Sequence, residues 1–516
     1  MMMELVTTPT IWSQVGAIIP LLLLVGFAST ILLIDVFAES TENNRYLGYL
    51  TAFFLTIILV FVLKDLNSSI TTKYLFNNSI IIDGYGLIFT AIFVVSGILT
   101  ALGSIDYLEK NGIAIGEFYA LMLLSISGMA LMVYSRNLIV TFVALELLSL
   151  PIYVLAGLFR ANKRSLEASI KYYIMGSVAS AIMLYGVALL YGATGSVDII
   201  KIGVSIDARY HNFSQLLSND PIIIAGMFMI LVGFLFKTAL MPFHMWTPDV
   251  YEGAPTIVTG FMSVAVKAAA FATMLRIFSY SFNLDALLVN GGKYISNSWV
   301  NLLVILSVVT IIIANIVALV QKEVKRMLSY SAIVHAGYLM LGMSAFFISG
   351  KVEAYSSFIF YFISYIFAGI GAFIVLGILE RDDRSIRYDD LNGTAYKRPF
   401  LGIMMSIFMF SFAAIPVFAG FMGKFYLFRT AYLDANLQIP VIIALLASVI
   451  SVFYYLKVTI HMYMKNFDES QDDNYNVSNA SKIALTLAAI GVLFFGIFPN
   501  SVLVIIEKSF STFIGG

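Results

Sequence analysis

The chain has 516 residues, 60% of them hydrophobic and only 12% charged, with a mean hydropathy of +0.92, which excludes a soluble domain with a polar surface. Formal net charge is zero and no basic run of useful length appears, so nucleic acid is excluded as a ligand. Cysteine is absent, which removes thiolate-held iron–sulfur clusters, disulfides and Cys-based zinc sites from this chain.

A helix needs roughly 20 apolar residues to cross about 30 Å of hydrocarbon. Fourteen such runs follow one another, at 11–34, 46–64, 84–105, 116–134, 137–158, 168–192, 222–247, 255–280, 299–320, 327–346, 355–379, 399–428, 438–465 and 482–505. The first lacks a basic start and a small-residue cleavage pattern and is too long for a signal peptide, so it reads as a retained span. The fold class is therefore an all-α polytopic membrane protein embedded in a lipid bilayer.

Lysine and arginine set the orientation. Loops after odd-numbered spans carry sixteen of them, including Arg160, Lys163, Arg164, Lys171, Lys322, Lys325, Arg326, Arg381, Arg384, Arg387, Lys397 and Arg398; the other loops and the termini carry ten. The positive-inside rule then puts both termini on the outer face and these basic loops in the cytoplasm.

Setting aside the cations of loops and span ends leaves four within spans, Lys237, Lys267, Lys424 and Lys457. A charge at mid-bilayer costs several kcal/mol, so it persists where it is paired, hydrated or functional. Lys237 and Lys267 are too deep to snorkel and read as sites. Glu146, in "VALELLSLP", is equally central and suits an ion pair with one of them, static or switchable. Lys424 keeps company with Pro416, Gly420 and Gly423, which interrupt its span; Lys237 is followed by Pro242. Lys457 reads as a snorkelling anchor. His335 fits a packing residue and equally a relay between Lys267 and Lys424. His244 suits capping or loop ordering as well as proton traffic, and Asp249 and Glu252 structure the turn after the seventh span.

In the seventh span the lysine precedes its proline and in the twelfth the order is reversed. Helices five apart run in opposite directions, so spans 4–8 and 9–13 read as two inverted five-helix repeats, each with a broken helix near a midplane ion site. The corresponding units are 1–115, with three spans, the repeats 116–280 and 299–465, and a C-terminal span within 466–516.

The segments "KTALMPFHMWTPDVYEGAPT", "VAVKAAAF", "KRMLSYSAIVHAGYLM" and "PVFAGFMGKFYLF" resemble the proton-translocating membrane subunits of respiratory complex I and their relatives among multisubunit cation/proton antiporters. The resemblance runs through spans 4 to 13. The form "HMWTPDVYEGAPT" is similar to the N-type subunit of bacterial NADH–quinone oxidoreductase; Lys424 stands where the M-type subunit carries a glutamate, and the chain lacks the long amphipathic helix of the L-type. The resemblance implies that Glu146 and Lys237 form an ion pair, that Lys267 is the central relay and that Lys424 is the terminal donor or acceptor. It further implies K-type and M-type membrane neighbours, a prokaryotic plasma membrane, and no cofactor in this chain. Quinone, NADH, FMN and iron–sulfur clusters would belong to other subunits. A multisubunit Na+/H+ antiporter or a membrane-bound hydrogenase-type complex is the alternative assembly.

Overall fold

The computed structural model describes residues 11–37, 45–67, 72–112, 115–210, 213–282, 298–380, 385–466 and 477–515. Thirteen of the described helices are long and apolar enough to cross a membrane. A short turn of helix, Ile11–Ala17, leads into Ile19–Phe37 (α1), followed by Arg45–Asn67 (α2). A two-stranded antiparallel hairpin, Lys73–Leu75 (β1) paired with Ile80–Ile82 (β2), precedes Gly84–Lys110 (α3). Ile115–Tyr134 (α4), Leu138–Ala156 (α5), Lys163–Thr194 (α6) and Pro221–Thr238 (α7) follow, then a short helix Trp246–Gly253 (α8). Thr256–Phe282 (α9) contains a π-helical turn at Met262–Val266. Ser298–Val320 (α10), Val324–Ser349 (α11) and Val352–Leu379 (α12) lead to Pro399–Phe412 (α13) and Ala419–Tyr432 (α14). Gln438–Met464 (α15), Asn479–Ile497 (α16) and Asn500–Ile514 (α17) complete the bundle.

Every backbone N–H and C=O inside hydrocarbon must be satisfied within the protein, so runs of this length and composition become helices. Their burial sorts them into two shells. The apolar stretches of α9, α11 and α12 are almost wholly enclosed, and α12 runs through the centre, touching α3, α9, α11, α13, α14, α16 and α17. Most of α1, α2, α6 and α15 faces outward, with exposed side chains such as Phe53, Ile170, Tyr185 and Val449 that suit lipid.

The two broken helices close in the same way. At the end of α7, Ala239 is left-handed with φ 60°, its N–H reaches Phe236 O, and the Leu240 N–H reaches back to Leu235 O. At the end of α13, Ala414 has φ 56°, its N–H reaches Ser411 O, and the Ile415 N–H reaches Phe410 O. Both are Schellman closures, which use up carbonyls that a membrane helix could not otherwise leave unpaired. Proline follows each closure, as Pro242 after a cis Met241–Pro242 bond and as Pro416, and neither can donate to a continuing helix. The freed Met241 N–H is taken by Thr310 Oγ1 at 3.1 Å.

Three sequence expectations change. Gly420 and Gly423 lie inside α14 and do not break it; the break occupies Ala413–Phe418. They are glycines because of close approach, since a Cβ at Gly420 would overlap the Ser411 carbonyl oxygen and one at Gly423 the Ser364 hydroxyl. The last predicted span ends at Ile497, and α17 turns back into the bundle, where Ser509 bonds Tyr355 at 2.9 Å and Thr512 receives the Gly84 N–H. Arg276, counted with loop cations, is instead fully buried in α9.

The basic loops gather at one end of the bundle. Lys171 and Arg326 both reach Asp249, Arg326 also reaches Glu252, and an isolated bridge joins Glu323 to Arg387. Asp249 and Glu252 thus tie the turn after α7 to α6 and α11, as expected of loop-structuring residues. Arg381 and Arg384 lie outside the described residues.

Candidate functional site

Lys237 is the penultimate residue of α7, just before the break, and is buried. Its Nζ donates to Tyr153 Oη at 3.2 Å and stands 4.9 and 5.1 Å from the ring centres of Tyr153 and Tyr172. Such faces attract a desolvated ammonium through the ring quadrupole. Tyr172 in turn stacks on Trp246 of α8, whose indole N–H takes Phe236 O at 3.1 Å. The tryptophan of "HMWTP" thereby pins the segment after the break against the lysine.

The expected Glu146–Lys237 ion pair is not formed. Among the described residues Glu146 is in no ion pair, and its Oε1 is buried without a hydrogen-bond partner. Tyr153, two turns beyond Glu146 on the same face of α5, holds the lysine through its hydroxyl instead. Between them Pro151 removes an N–H from the α5 ladder. Sequence reasoning missed Tyr153, although its i+7 spacing from Glu146 was visible.

Lys267 follows the π-helical turn of α9. Its ammonium is buried, donates to Ala332 O of α11 at 2.8 Å, and lies 5.8 Å from the Tyr251 ring centre. One turn beyond Ala332 stands His335, buried, with Nδ1 against Tyr361 Oη at 2.5 Å and Nε2 against Tyr455 Oη at 3.1 Å. His335 thus stands one turn from the carbonyl that accepts from Lys267, and it also packs against Tyr365 and Phe412, with ring centres 4.7 and 5.4 Å away.

Lys424 uses the second break directly. Its Nζ donates to Phe412 O, the last residue of α13, at 2.8 Å and to Ser448 Oγ of α15 at 3.0 Å, over the Tyr338 ring at 5.3 Å. Phe412 thus gives its carbonyl to Lys424 and its ring to His335. Carbonyl acceptors of this kind, at the end of a broken helix, are how membrane proteins bind cationic groups at depth.

His244, in the turn before α8, is half-buried with Nδ1 unpartnered, and burial lowers its proton affinity. Its backbone carbonyl accepts the Thr247 N–H at 3.0 Å. Lys457 lies 3.9 Å from the Tyr388 ring centre near the loop end of α15, as suits an anchor. The groups therefore divide into a Lys237–Tyr153–Tyr172 cluster and a Lys267–His335–Lys424 cluster. A cavity of about 740 Å³, lined by Ser356, Ser357, Arg429, Thr430 and Glu507 among others, opens beside α14 at the end opposite the basic loops.

One charge pair escaped the sequence entirely. Arg276 of α9 forms two bonds to Asp83, from Nη1 to Oδ2 at 2.9 Å and from Nη2 to Oδ1 at 2.8 Å, with both side chains fully enclosed. Asp83 also caps α3 through the Gly86 N–H at 2.8 Å. This pair joins α3 to α9 and, through the Phe513 ring 5.8 Å from the guanidinium, to α17.

Known proteins resemble this chain in sequence and in fold. Residues 135–451 match the family model described as NADH:quinone oxidoreductase/Mrp antiporter, TM. The chain is 38% identical to NADH-quinone oxidoreductase subunit N of Trichlorobacter lovleyi, covering 95% of this chain and 96% of that protein. It is 36% identical to the subunit N of Chloroflexus aggregans, over 98% and 99% of the two chains. Among solved structures it resembles a chain of respiratory complex I from Thermus thermophilus, with a TM-score of 0.75 and 30% identity over 94% of this chain and 98% of that one. A chain of the Mrp complex from a Dietzia species has the same fold, with a TM-score of 0.80 at 19% identity over 96% and 97% of the chains. The chain belongs to the NADH:quinone oxidoreductase/Mrp antiporter family of transmembrane subunits.

Proposed function

We propose that the chain is a proton-translocating membrane-arm subunit of an NADH–quinone oxidoreductase, the N-type, and takes no part in the redox steps. The observation that carries this reading is the burial of three lysines and one histidine in the middle of the bundle, Lys237 and Lys424 at the two helix breaks, with no fixed carboxylate partner on Lys237, Lys267 or Lys424 among the described residues. A paired lysine stays charged and inert, whereas one held by carbonyls, hydroxyls and ring faces can take up and release a proton as neighbouring charges move.

Glu146 is the switch. Its unpartnered carboxylate oxygen sits on the face of α5 that carries Tyr153, so a rearrangement of α5 that brings it to Lys237 would exchange the Tyr153 contact for the carboxylate. Quinone reduction elsewhere in the assembly drives that exchange. The altered field then acts on Lys267, through His335 and on to Lys424, and a proton crosses; no covalent bond of a substrate breaks in this chain. NADH, FMN, iron–sulfur clusters and quinone belong to other subunits, with K-type and M-type subunits beside this one.

The relatives favour this assembly over an Na+/H+ antiporter, since those named subunit N match at 36–38% identity over nearly full length whereas the Mrp chain shares the fold at 19%. The shared Schellman closure at Ala239 and Ala414 supports the inverted-repeat reading of spans 4–8 and 9–13. The clustering of basic loops at one end supports a cytoplasmic placement of that end, both termini outside, and a plasma membrane.

The test is proton pumping by the intact complex in sealed vesicles, wild type against Lys237→Ala, with quinone reduction followed in parallel. Loss of pumping together with slowed electron transfer is expected. Unchanged pumping would overturn the assignment.

A further inference from the structure

At the basic-loop end, between α3, α9, α11 and α12, lies a polar cluster that the lysine and histidine sites do not use. Its centre is Glu380, just past α12, whose Oε2 accepts from Thr256 Oγ1 at 2.7 Å and from Tyr107 Oη at 3.0 Å. Tyr107 Oη also accepts the Thr256 N–H at 3.1 Å, which caps the first turn of α9. Lys325, read from sequence as a loop cation, is buried instead: its Nζ donates to Ala254 O at 2.6 Å and stands 3.8 Å from Glu380 Oε1. The Glu380 side chain keeps 15% of its surface exposed, and a small cavity of about 40 Å³, lined by Tyr107, Arg164, Glu252, Lys325, Glu380 and Ser385, sits against it. That is room for ordered water among polar partners.

From this mouth a file of hydroxyls runs into the bundle. Thr256, Thr259, Ser263 and Lys267 recur at intervals of three or four residues, which places them on one face of α9, and all four are buried. They span about 16 Å from the first turn of the helix to the lysine. Thr259 Oγ1 donates to Tyr251 O and Ser263 Oγ to Gly260 O, so each oxygen keeps lone pairs free to accept. Ser263 lies within the π-helical turn, which ends just before Lys267, and its widened ladder re-aims the lysine. Apolar packing alone would not place hydroxyls at successive turns of the most enclosed helix in the bundle.

We propose that Glu380 is the group through which protons enter this chain, that buried Lys325 holds its carboxylate in place, and that Thr256, Thr259 and Ser263 lead from it to Lys267. A proton from water at the basic-loop face is taken by the Glu380 carboxylate. It is then handed along hydroxyls and bridging waters, each hydroxyl accepting one proton as it gives up another, until the neutral Lys267 amine becomes an ammonium. Glu380 returns to a carboxylate beside Lys325. Successive hydroxyls one turn apart are within reach of one bridging water. The inference rests on the proton-translocating reading above and assigns Lys267 a supply independent of Glu146 and Lys237.

The experiment compares Glu380→Gln, Glu380→Asp, Thr259→Val and Lys267→Ala in the intact complex in sealed vesicles, reading protons pumped per quinol formed. Glu380→Gln keeps an acceptor for Tyr107 and Thr256 but cannot carry a proton, and pumping is expected to fall at least tenfold. Glu380→Asp is expected to recover a substantial part, which a purely structural role would not grant. Thr259→Val preserves shape and is expected to slow pumping several-fold, giving an answer even where a Glu380 variant fails to assemble. Pumping within twofold of wild type in both assembled Glu380→Gln and Thr259→Val, with Lys267→Ala inactive, would overturn the entry route alone. An active Lys267→Ala would overturn the translocation reading as well.

Discussion

The Asp83–Arg276 pair gives the sharpest stability prediction. Both groups are fully enclosed and held by two bonds of 2.8 and 2.9 Å, so removing one leaves the other charged and uncompensated. Breaking a buried pair from one side costs about 3–5 kcal/mol. Asp83→Asn keeps the side-chain oxygen that caps Gly86 N–H, so its cost is the lost charge pairing; Asp83→Ala also loses the cap, about 1 kcal/mol more. Arg276→Met is expected to cost about 3 kcal/mol, since the remaining carboxylate still has the helix N-terminus of α3. The double variant Asp83→Asn with Arg276→Met removes both buried charges and is expected to recover more than half of either single loss. The assay is stepwise heating of the purified complex in lipid nanodiscs, with retention of this chain followed on native gels. A double variant less stable than both singles, by the sum of their losses, would refute the argument, because the two charges would then act independently.

Further predictions concern the breaks, the lysine partners and the C-terminal helix. Gly420→Ala is expected to displace α14 from Ser411 and to abolish pumping in vesicle assays, whereas Gly192→Ala, with nothing within 4 Å of its Cβ, is expected to leave pumping and thermal stability at wild-type level or slightly better. Tyr153→Phe removes the hydroxyl that the Lys237 ammonium donates to at 3.2 Å, and is expected to reduce pumping several-fold while Tyr172→Phe, which keeps its ring face, has a smaller effect. Truncation after Phe498 strips the partners of Tyr280, Tyr355 and Gly84, and the chain is expected to be lost from purified membranes on immunoblots. Survival of a fully active truncated chain would show that α17 is dispensable packing.

The sequence by itself determined the class of molecule, most of the spans and the depth of Lys237, Lys267 and Lys424. A membrane helix satisfies its backbone within its own segment, so length and composition are enough to locate it, and proline marks where the ladder fails, as at Pro242 and Pro416. Lys237, Lys267, Lys424 and His335 were legible for the same reason: polar groups inside apolar runs stand out one residue at a time. Which groups meet was decided only by tertiary structure. Glu146 and Lys237 look like a pair in sequence, yet Lys237 donates to Tyr153 instead; Arg276 looks like a span-end cation, yet it finds Asp83 from another helix, 193 residues away in the chain. Gly420 and Gly423 read as breakers but serve close packing, and Lys325 reads as a loop charge but is buried beside Glu380. The physical reason is common to all of these. In lipid the hydrophobic pattern no longer tells one helix face from another, so rotation and neighbours are set by steric fit and by interhelical hydrogen bonds between residues far apart in the chain.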